Sequence, residues 1–185
     1  MDHLGTTRAT QRLATAADTA QIAALMRASV LDLFPRFYSE QQSASAAVHL
    51  TVPDMDLIAD GTYYVHEADG EVVACGGWSK REKLYTGSGD KDGDARLLDP
   101  LTEPARVRAM FVRADWTRRG LARAVLDACR RAAVGQGFRE FVLMATLPGV
   151  PLYHAYGFED VEDTQIPLPD GVILEGLTMR LALSA

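Results

Sequence analysis

The segment Met110-Phe111-Val112-Arg113-Ala114-Asp115-Trp116-Thr117-Arg118-Arg119-Gly120-Leu121-Ala122-Arg123 holds the residues best suited to chemistry. Its pattern predicts a strand over Arg106–Val112, a turn, and a helix over Arg118–Val134. The first N–H groups of a helix have no partner within it, and together with the helix dipole they attract anionic oxygens. Gly120 and Ala122 leave room for a pyrophosphate-sized anion to approach the backbone, and Arg118, Arg119 and Arg123 add charge-assisted donors. Arginines at a helix start oppose the dipole, so two in succession imply a compensating anion. The alternative is a surface helix whose arginines are simply solvated. A nucleotide P-loop is excluded because no Gly-Lys-Ser/Thr follows, and a dinucleotide fingerprint because the turn has one glycine.

A second segment, Leu152-Tyr153-His154-Ala155-Tyr156-Gly157-Phe158, follows after a further strand-like run. In order and spacing, Thr117-Arg118-Arg119-Gly120-Leu121-Ala122 and this segment resemble the GNAT acyltransferase superfamily. Its pattern is Arg/Gln-x-x-Gly-x-Gly/Ala, then a helix, a strand and Leu-Tyr-x-x-x-Gly-Phe. The likeness is strong over Arg106 to Asp160 and loose in element order from Arg8 to Leu183. It implies that acetyl-CoA enters a splayed opening between the strands Arg106–Val112 and Glu140–Thr146. Met110, Phe111 and Val112 would hold the pantetheine arm like an added strand, and Thr117 to Arg123 the pyrophosphate. Thr117 stands where the family usually has Arg or Gln. Thr146-Leu147-Pro148-Gly149-Val150-Pro151 is shorter than usual and lacks a common Asn.

The resemblance further implies an N-acetyltransferase that moves an acetyl group onto a primary amine of a small molecule or protein, and commonly a homodimer. Tyr153 then becomes the general acid for the leaving thiolate, since a phenol of pKa about 10 stays protonated until thiolate develops. The competing reading of Tyr153 is an aromatic packing residue; Tyr156 and His154 are alternative proton donors. A backbone N–H, that of Val112, would hold the oxyanion. Glu67, His66 and Glu103 are placed as general bases only by position. Arg106, Arg108 and Met110 alternate along one strand, so the two arginines either bind an acidic substrate group or pair with Asp or Glu across the sheet. Trp78, Tyr85 and Trp116 are pocket candidates, with Trp116 as a cap on the core beside the turn. Two other readings stay open: a catalytically silent coenzyme A-binding module of the same fold, and an unrelated phosphate-binding domain.

Bulk properties bound these readings. A chain of 185 residues, 48% hydrophobic and 24% charged, suits one α/β or α+β domain with a sizeable core. The net charge of -6 argues against nucleic-acid binding, because no excess cation is available to displace counterions. The same acidity favours an amine-bearing partner through long-range attraction. Cys75 and Cys129 each lie in apolar runs and read as small buried hydrophobes, with no metal site. No signal peptide or run of about 20 apolar residues is present, so the expectation is a cytoplasmic protein without membrane contact.

The elements that must position these residues follow from periodicity. Arg8–Leu13 alternates like a short strand. Ala16–Phe34 carries Ile22, Leu25, Met26, Ser29, Val30 and Leu33 at helical spacing and ends at Pro35. A second helix opens at Ser39, with Gln42 three residues on, and runs to Leu50. Thr62–Glu67 and Glu71–Trp78 form a hairpin across Asp69-Gly70, and Gly76-Gly77 marks a bulge or a close backbone approach. Ser79 to Pro104 is a long polar excursion, and with the helices of Ala16–Leu50 it would select the acceptor. Val150–Tyr156 reads as a short helix, and Asp160–Ile166 and Val172–Leu183 as strands. The expected whole, residues 1–185, is a mixed, mostly antiparallel sheet splayed between two parallel strands and flanked by helices.

Overall fold

A computed structural model describes residues 8–83 and 96–184; Tyr85 and most of the polar excursion lie outside them. One seven-stranded sheet runs through the molecule in the order β1-β2-β3-β4-β5-β7-β6. Its strands are β1 (Thr10–Leu13), β2 (Tyr63–Ala68), β3 (Glu71–Ser79), β4 (Ala105–Val112), β5 (Glu140–Thr146), β6 (Glu159–Pro167) and β7 (Ile173–Ala182). Every neighbouring pair is antiparallel except β4 and β5, which pair in parallel only at Ala105↔Phe141 and Arg106↔Val142. Beyond those two rungs the strands part, as expected from the resemblance.

The helices form for reasons visible in their residues. In α1 (Thr19–Leu33), Ile22, Leu25, Met26, Ser29 and Val30 are buried at helical spacing, which covers one sheet face. Pro35 forces a 3₁₀ turn over Phe34–Arg36. In α2 (Glu40–His49), Ser39 accepts the N–H of Gln42, and Gln42 reciprocates with the N–H of Ser39. A short helix that periodicity does not predict, α3 (Met55–Ala59), is capped by Asp54 and buries Leu57. On the opposite sheet face, α4 (Leu121–Gly135) buries Val125, Leu126, Ala128, Cys129 and Ala133. The last helix, α5 (Val150–Tyr156), stops at Gly157 with φ 116°, whose N–H returns to the carbonyls of Tyr153 and His154.

The hairpin and bulge expectations hold. Asp69 and Gly70 take φ of 52° and 80°, the paired positive angles of a tight hairpin turn. Between Cys75↔Phe111 and Gly77↔Arg108, the single residue Gly76 faces two residues of β4, Ala109 and Met110. Ala109 has φ 56°, an uncommon angle for a side-chain-bearing residue. It is held by the fully buried Tyr63, whose hydroxyl lies 3.2 Å from the Ala109 carbonyl and 3.1 Å from Cys75 Sγ.

The extra residue reverses which side chain faces which layer. Ala105 and Val107 join the cluster under α4, and so does Met110, whereas Ala109 and Phe111 join the cluster under α1. Arg108 therefore does not share a face with Met110, contrary to simple alternation. At the far edge of the sheet, β6 exposes Glu159, Asp160, Glu162 and Asp163 in a row.

Candidate active site

The segment before α4 departs from the expected helix. Arg118 and Gly120 both take left-handed φ, 61° and 78°, so the helix begins at Leu121 and not at Arg118. The arginines sit in the turn that leads into it. Among the helices of eight residues or more, α2 has a side-chain cap, and α1 and α4 have none. The first turn-closing bond of α4 runs from the Ala124 N–H to the Gly120 carbonyl at 3.0 Å. The N–H groups of Leu121, Ala122 and Arg123 consequently lack partners among the described residues. A Cβ built at Gly120 would meet nothing within 4 Å, so the space in front of these donors is open.

Arg118 and Arg123 border that space, and Arg119 stands beside it. The Arg119 guanidinium stacks 4.4 Å from the ring centre of Trp116, and that of Arg123 lies 5.4 Å from the ring of Tyr156. The nearby acid Asp115 is taken by Arg113 at 2.6 Å. No ion pair neutralises Arg118, Arg119 or Arg123 among the described residues. Thr117 turns its hydroxyl onto the Ala114 carbonyl at 2.8 Å, stabilising its own turn. Uncapped backbone donors, a glycine entry and unpaired guanidiniums together make an anion cradle.

This cradle opens into a cleft of ≈ 670 Å³. Along one wall run Met110, Phe111 and Val112; Thr117, Arg118, Gly120, Leu121, Ala122 and Arg123 border it at one end, and Tyr153 stands across from β4. Of the cofactor-binding candidates Met110 to Val112 and Thr117 to Arg123, Arg119 alone does not line it. Because the Arg113 N–H bonds the Val73 carbonyl at 2.9 Å, strand alternation turns the N–H of Val112 towards the parted side, away from β3. It is an edge donor that an extended ligand could use.

Tyr153 is buried, 8% exposed, and burial holds its phenol above the usual tyrosine pKa. Phe158 packs edge-on at 5.6 Å, delivered there by the Gly157 turn, and a Cβ on Gly149 would come within 3.0 Å of the Tyr153 ring. The Leu-Tyr-x-x-x-Gly-Phe spacing thus has a mechanical meaning. Its glycine reverses the chain so that its phenylalanine braces its tyrosine. The loop beneath is pinned by Tyr38, whose hydroxyl accepts the Leu147 N–H at 2.9 Å and donates to the Glu175 carbonyl at 2.7 Å. Burial pushes the Tyr38 phenol up to about 12. No sequence signal distinguished this tyrosine, because its partners lie more than a hundred residues away.

The other candidates are placed elsewhere. Tyr156 gives its hydroxyl to Asp127 at 2.7 Å, and His154 is exposed, 2.5 Å from Asp160. Glu67 joins Asp18 around Arg12, and Glu103 pairs with Arg96 on the surface. His66 is buried with a lowered pKa caused by desolvation, but it lines a separate cavity with Gln11, Asp127 and Arg131. Arg108 is fully inside, 3.1 Å from Asp54, with Nη1 donating to the Lys83 carbonyl at 3.1 Å. Arg108 thus pairs with an acid, though one that caps α3 and does not stand across the sheet, and it still borders the cleft. Trp78 is wholly buried in the α4 core, whereas Trp116 does border the cleft. Cys75 and Cys129 are free and buried. Among the described residues no cluster of three metal-ligating side chains occurs, and no helix is long and apolar enough to cross a membrane.

Comparison with known proteins adds an independent line. Residues 59–160 match the acetyltransferase (GNAT) domain. The chain is similar in fold to a GCN5-related N-acetyltransferase from Rhodopseudomonas palustris, with a TM-score of 0.71 at 18% identity over 98% of this chain and 100% of that one. It is similar to PaiA N-acetyltransferase from Thermoplasma acidophilum in complex with coenzyme A, with a TM-score of 0.67 at 13% identity, covering 95% and 99%. A putative acetyltransferase, YncA, from Salmonella typhimurium with its cofactor acetyl-CoA gives 0.61 at 19% identity, covering 97% and 96%. No curated protein matches the sequence.

Proposed function

The chain belongs to the GNAT acetyltransferase family, and on that premise we propose that it transfers the acetyl group of acetyl-CoA directly to a primary amine. The observation that carries the reading is the uncapped, glycine-entered start of α4 opening into a cleft between two parted parallel strands. Solved relatives of the same fold hold coenzyme A or acetyl-CoA. The groups present here fit such a ligand. Arg118, Arg123 and the N–H groups of Leu121, Ala122 and Arg123 suit a pyrophosphate, and the free edge of β4 at Val112 suits an amide-bearing arm.

When bound, acetyl-CoA supplies an activated thioester. The chain's own contributions are then electrostatic and protonic. The outward N–H of Val112 is a donor available to a developing oxyanion, held beside the Tyr63-braced bulge. The Tyr153 phenol, kept neutral by burial, holds a proton at its oxygen for a departing thiolate. Phe158 and Gly149 restrict its ring. The apolar walls Leu143, Ala145, Leu152 and Leu121 exclude water from the reacting end.

A second reading, a coenzyme A-binding module without turnover, is favoured by one observation: the described cleft lining contains no carboxylate or imidazole. Calorimetric titration with acetyl-CoA, with ATP and NAD as controls, followed by thiol-release assays over an amine panel, separates the two. Acetyl-CoA binding with amine-dependent thiol release supports the transferase. Binding with no release supports the silent module, and nucleotide preference removes both.

A further inference from the structure

The cleft passes through the sheet where β4 and β5 part, and its two halves differ in chemistry. On the α4 side it carries the arginines and the free backbone donors. On the α1 and α2 side it is bordered by Ser29, Leu33, Phe34, Leu50, Phe111 and Met144. Four of these, Phe34, Leu50, Phe111 and Met144, belong to one apolar cluster. This half lies on the sheet face opposite the one that α4 covers, which leaves it for a second substrate.

Three physical consequences restrict that substrate. First, among the described residues the only ionised group bordering this half is Arg108, a cation whose partner Asp54 is itself 3% exposed and engaged. A second ammonium on the acceptor would therefore lose water and meet no free anion among the described residues. Second, an aliphatic or aromatic body on the acceptor gains by covering this wall. Third, no described side chain in the cleft can accept the proton of an ammonium, so the amine must arrive already neutral. An α-amino group, with pKa about 7.7–8.0, supplies far more free base near neutrality than an alkylamine like that of lysine at about 10.4.

We propose that the acceptor is a small, weakly basic primary amine on an apolar body, without a second positive charge, seated against Leu33, Phe34, Leu50, Phe111 and Met144. The inference rests on the acetyltransferase reading and narrows it. Size follows from volume: ≈ 670 Å³ is that of a pocket for one drug-sized ligand, and the acylated arm of the donor must share it. In the reaction the amine nitrogen forms the C–N bond and the C–S bond breaks. The thiolate takes one proton, and nitrogen releases one to water.

The test compares initial rates with leucinamide, isoamylamine, glycinamide and spermidine from about pH 7.5 to about pH 10.5, a range spanning both amine classes. Leucinamide should exceed glycinamide through its apolar body. It should also exceed isoamylamine by roughly 10-fold or more at the low end. The free-base advantage is at most roughly 300-fold there, and the greater intrinsic nucleophilicity of the stronger base offsets part of it. That gap should close as pH rises, and spermidine should be slowest. Leu33→Glu should raise the spermidine-to-leucinamide ratio of kcat/KM, with a melting curve confirming that the variant is folded. Preference for spermidine near neutral pH, or one shared rate limb below about pH 8 for every acceptor, overturns the inference while leaving acetyl transfer intact. Failure to bind acetyl-CoA in calorimetry overturns the underlying reading and this inference together.

Discussion

Replacing Gly120 by glutamate tests the anion cradle most directly. The perturbation has two parts that can be separated. Any side chain at φ 78° strains the backbone by about 1–2 kcal/mol, so Gly120→Ala should lose roughly that much stability. Its Cβ meets nothing within 4 Å, so packing in the free protein adds no further cost. Glutamate adds a negative charge beside the donors of Leu121, Ala122 and Arg123. Two unit charges 4 Å apart repel by about 1 kcal/mol in water and about 4 kcal/mol near a protein surface. Against two phosphoryl charges, about 2–4 kcal/mol after screening is a reasonable range. At about 1.4 kcal/mol per decade, acetyl-CoA should bind roughly 30- to 1000-fold more weakly. Gly135→Glu is the control, since it adds the same charge at the other end of α4, again with nothing within 4 Å. Its affinity should stay within about 3-fold of wild type, because the charge lies beyond a Debye length of about 8 Å. Calorimetry repeated at high salt should shrink the Gly120→Glu penalty. Unchanged affinity for Gly120→Glu, or an equal loss for Gly120→Ala, would refute the electrostatic argument.

Three other outcomes are expected. Tyr153→Phe should lower kcat about 100- to 1000-fold, the lower part of the usual acid–base contribution, with the acetyl-CoA Kd nearly unchanged by calorimetry; a wild-type rate removes Tyr153 as the proton donor. Gly76→Ala should cost about 1–3 kcal/mol in urea unfolding through overpacking, since its Cβ would sit 2.6 Å from Met110 Sδ, and Met110→Ala should recover part of that loss. Arg12 holds the Asp18 carboxyl down at about 2 against an ordinary 3.8. That stabilisation is present above about pH 4 and is lost as pH falls towards 2. Arg12→Ala should therefore be less stable than wild type at neutral pH, with the difference narrowing in acid unfolding curves.

Much of this architecture is legible in the sequence where signals are local. The Ser39–Gln42 capping box, the Asp69-Gly70 turn and the α1 stripe each depend on residues a few positions apart, and each is found as expected. The α4 start is misplaced by three residues because helical propensity is blind to the left-handed angles of Arg118 and Gly120. Helix α3 escapes because five residues make little more than one turn and show no period. The bulge position was flagged by Gly76-Gly77, yet its consequence for Arg108 and Met110 was not, since parity depends on which strand carries the extra residue. The acceptor half is the least legible part. Ser29, Leu33, Phe34 and Leu50 become neighbours of Phe111 and Met144 only through the sheet, and no short motif spans that separation.

The acidic row on β6 has a bearing on assembly. An outermost strand offers unpaired backbone groups to any passing chain, and a second copy of this protein presents the same strand. Antiparallel pairing of the two would bring Glu159, Asp160, Glu162 and Asp163 close to their own counterparts, and like charges set opposite one another weaken such a ladder. The row thus works as a guard against head-to-head growth of the sheet. The guard is chemical and so conditional: amide substitutions that remove these charges would lift the repulsion and leave the edge open to continuous-sheet association.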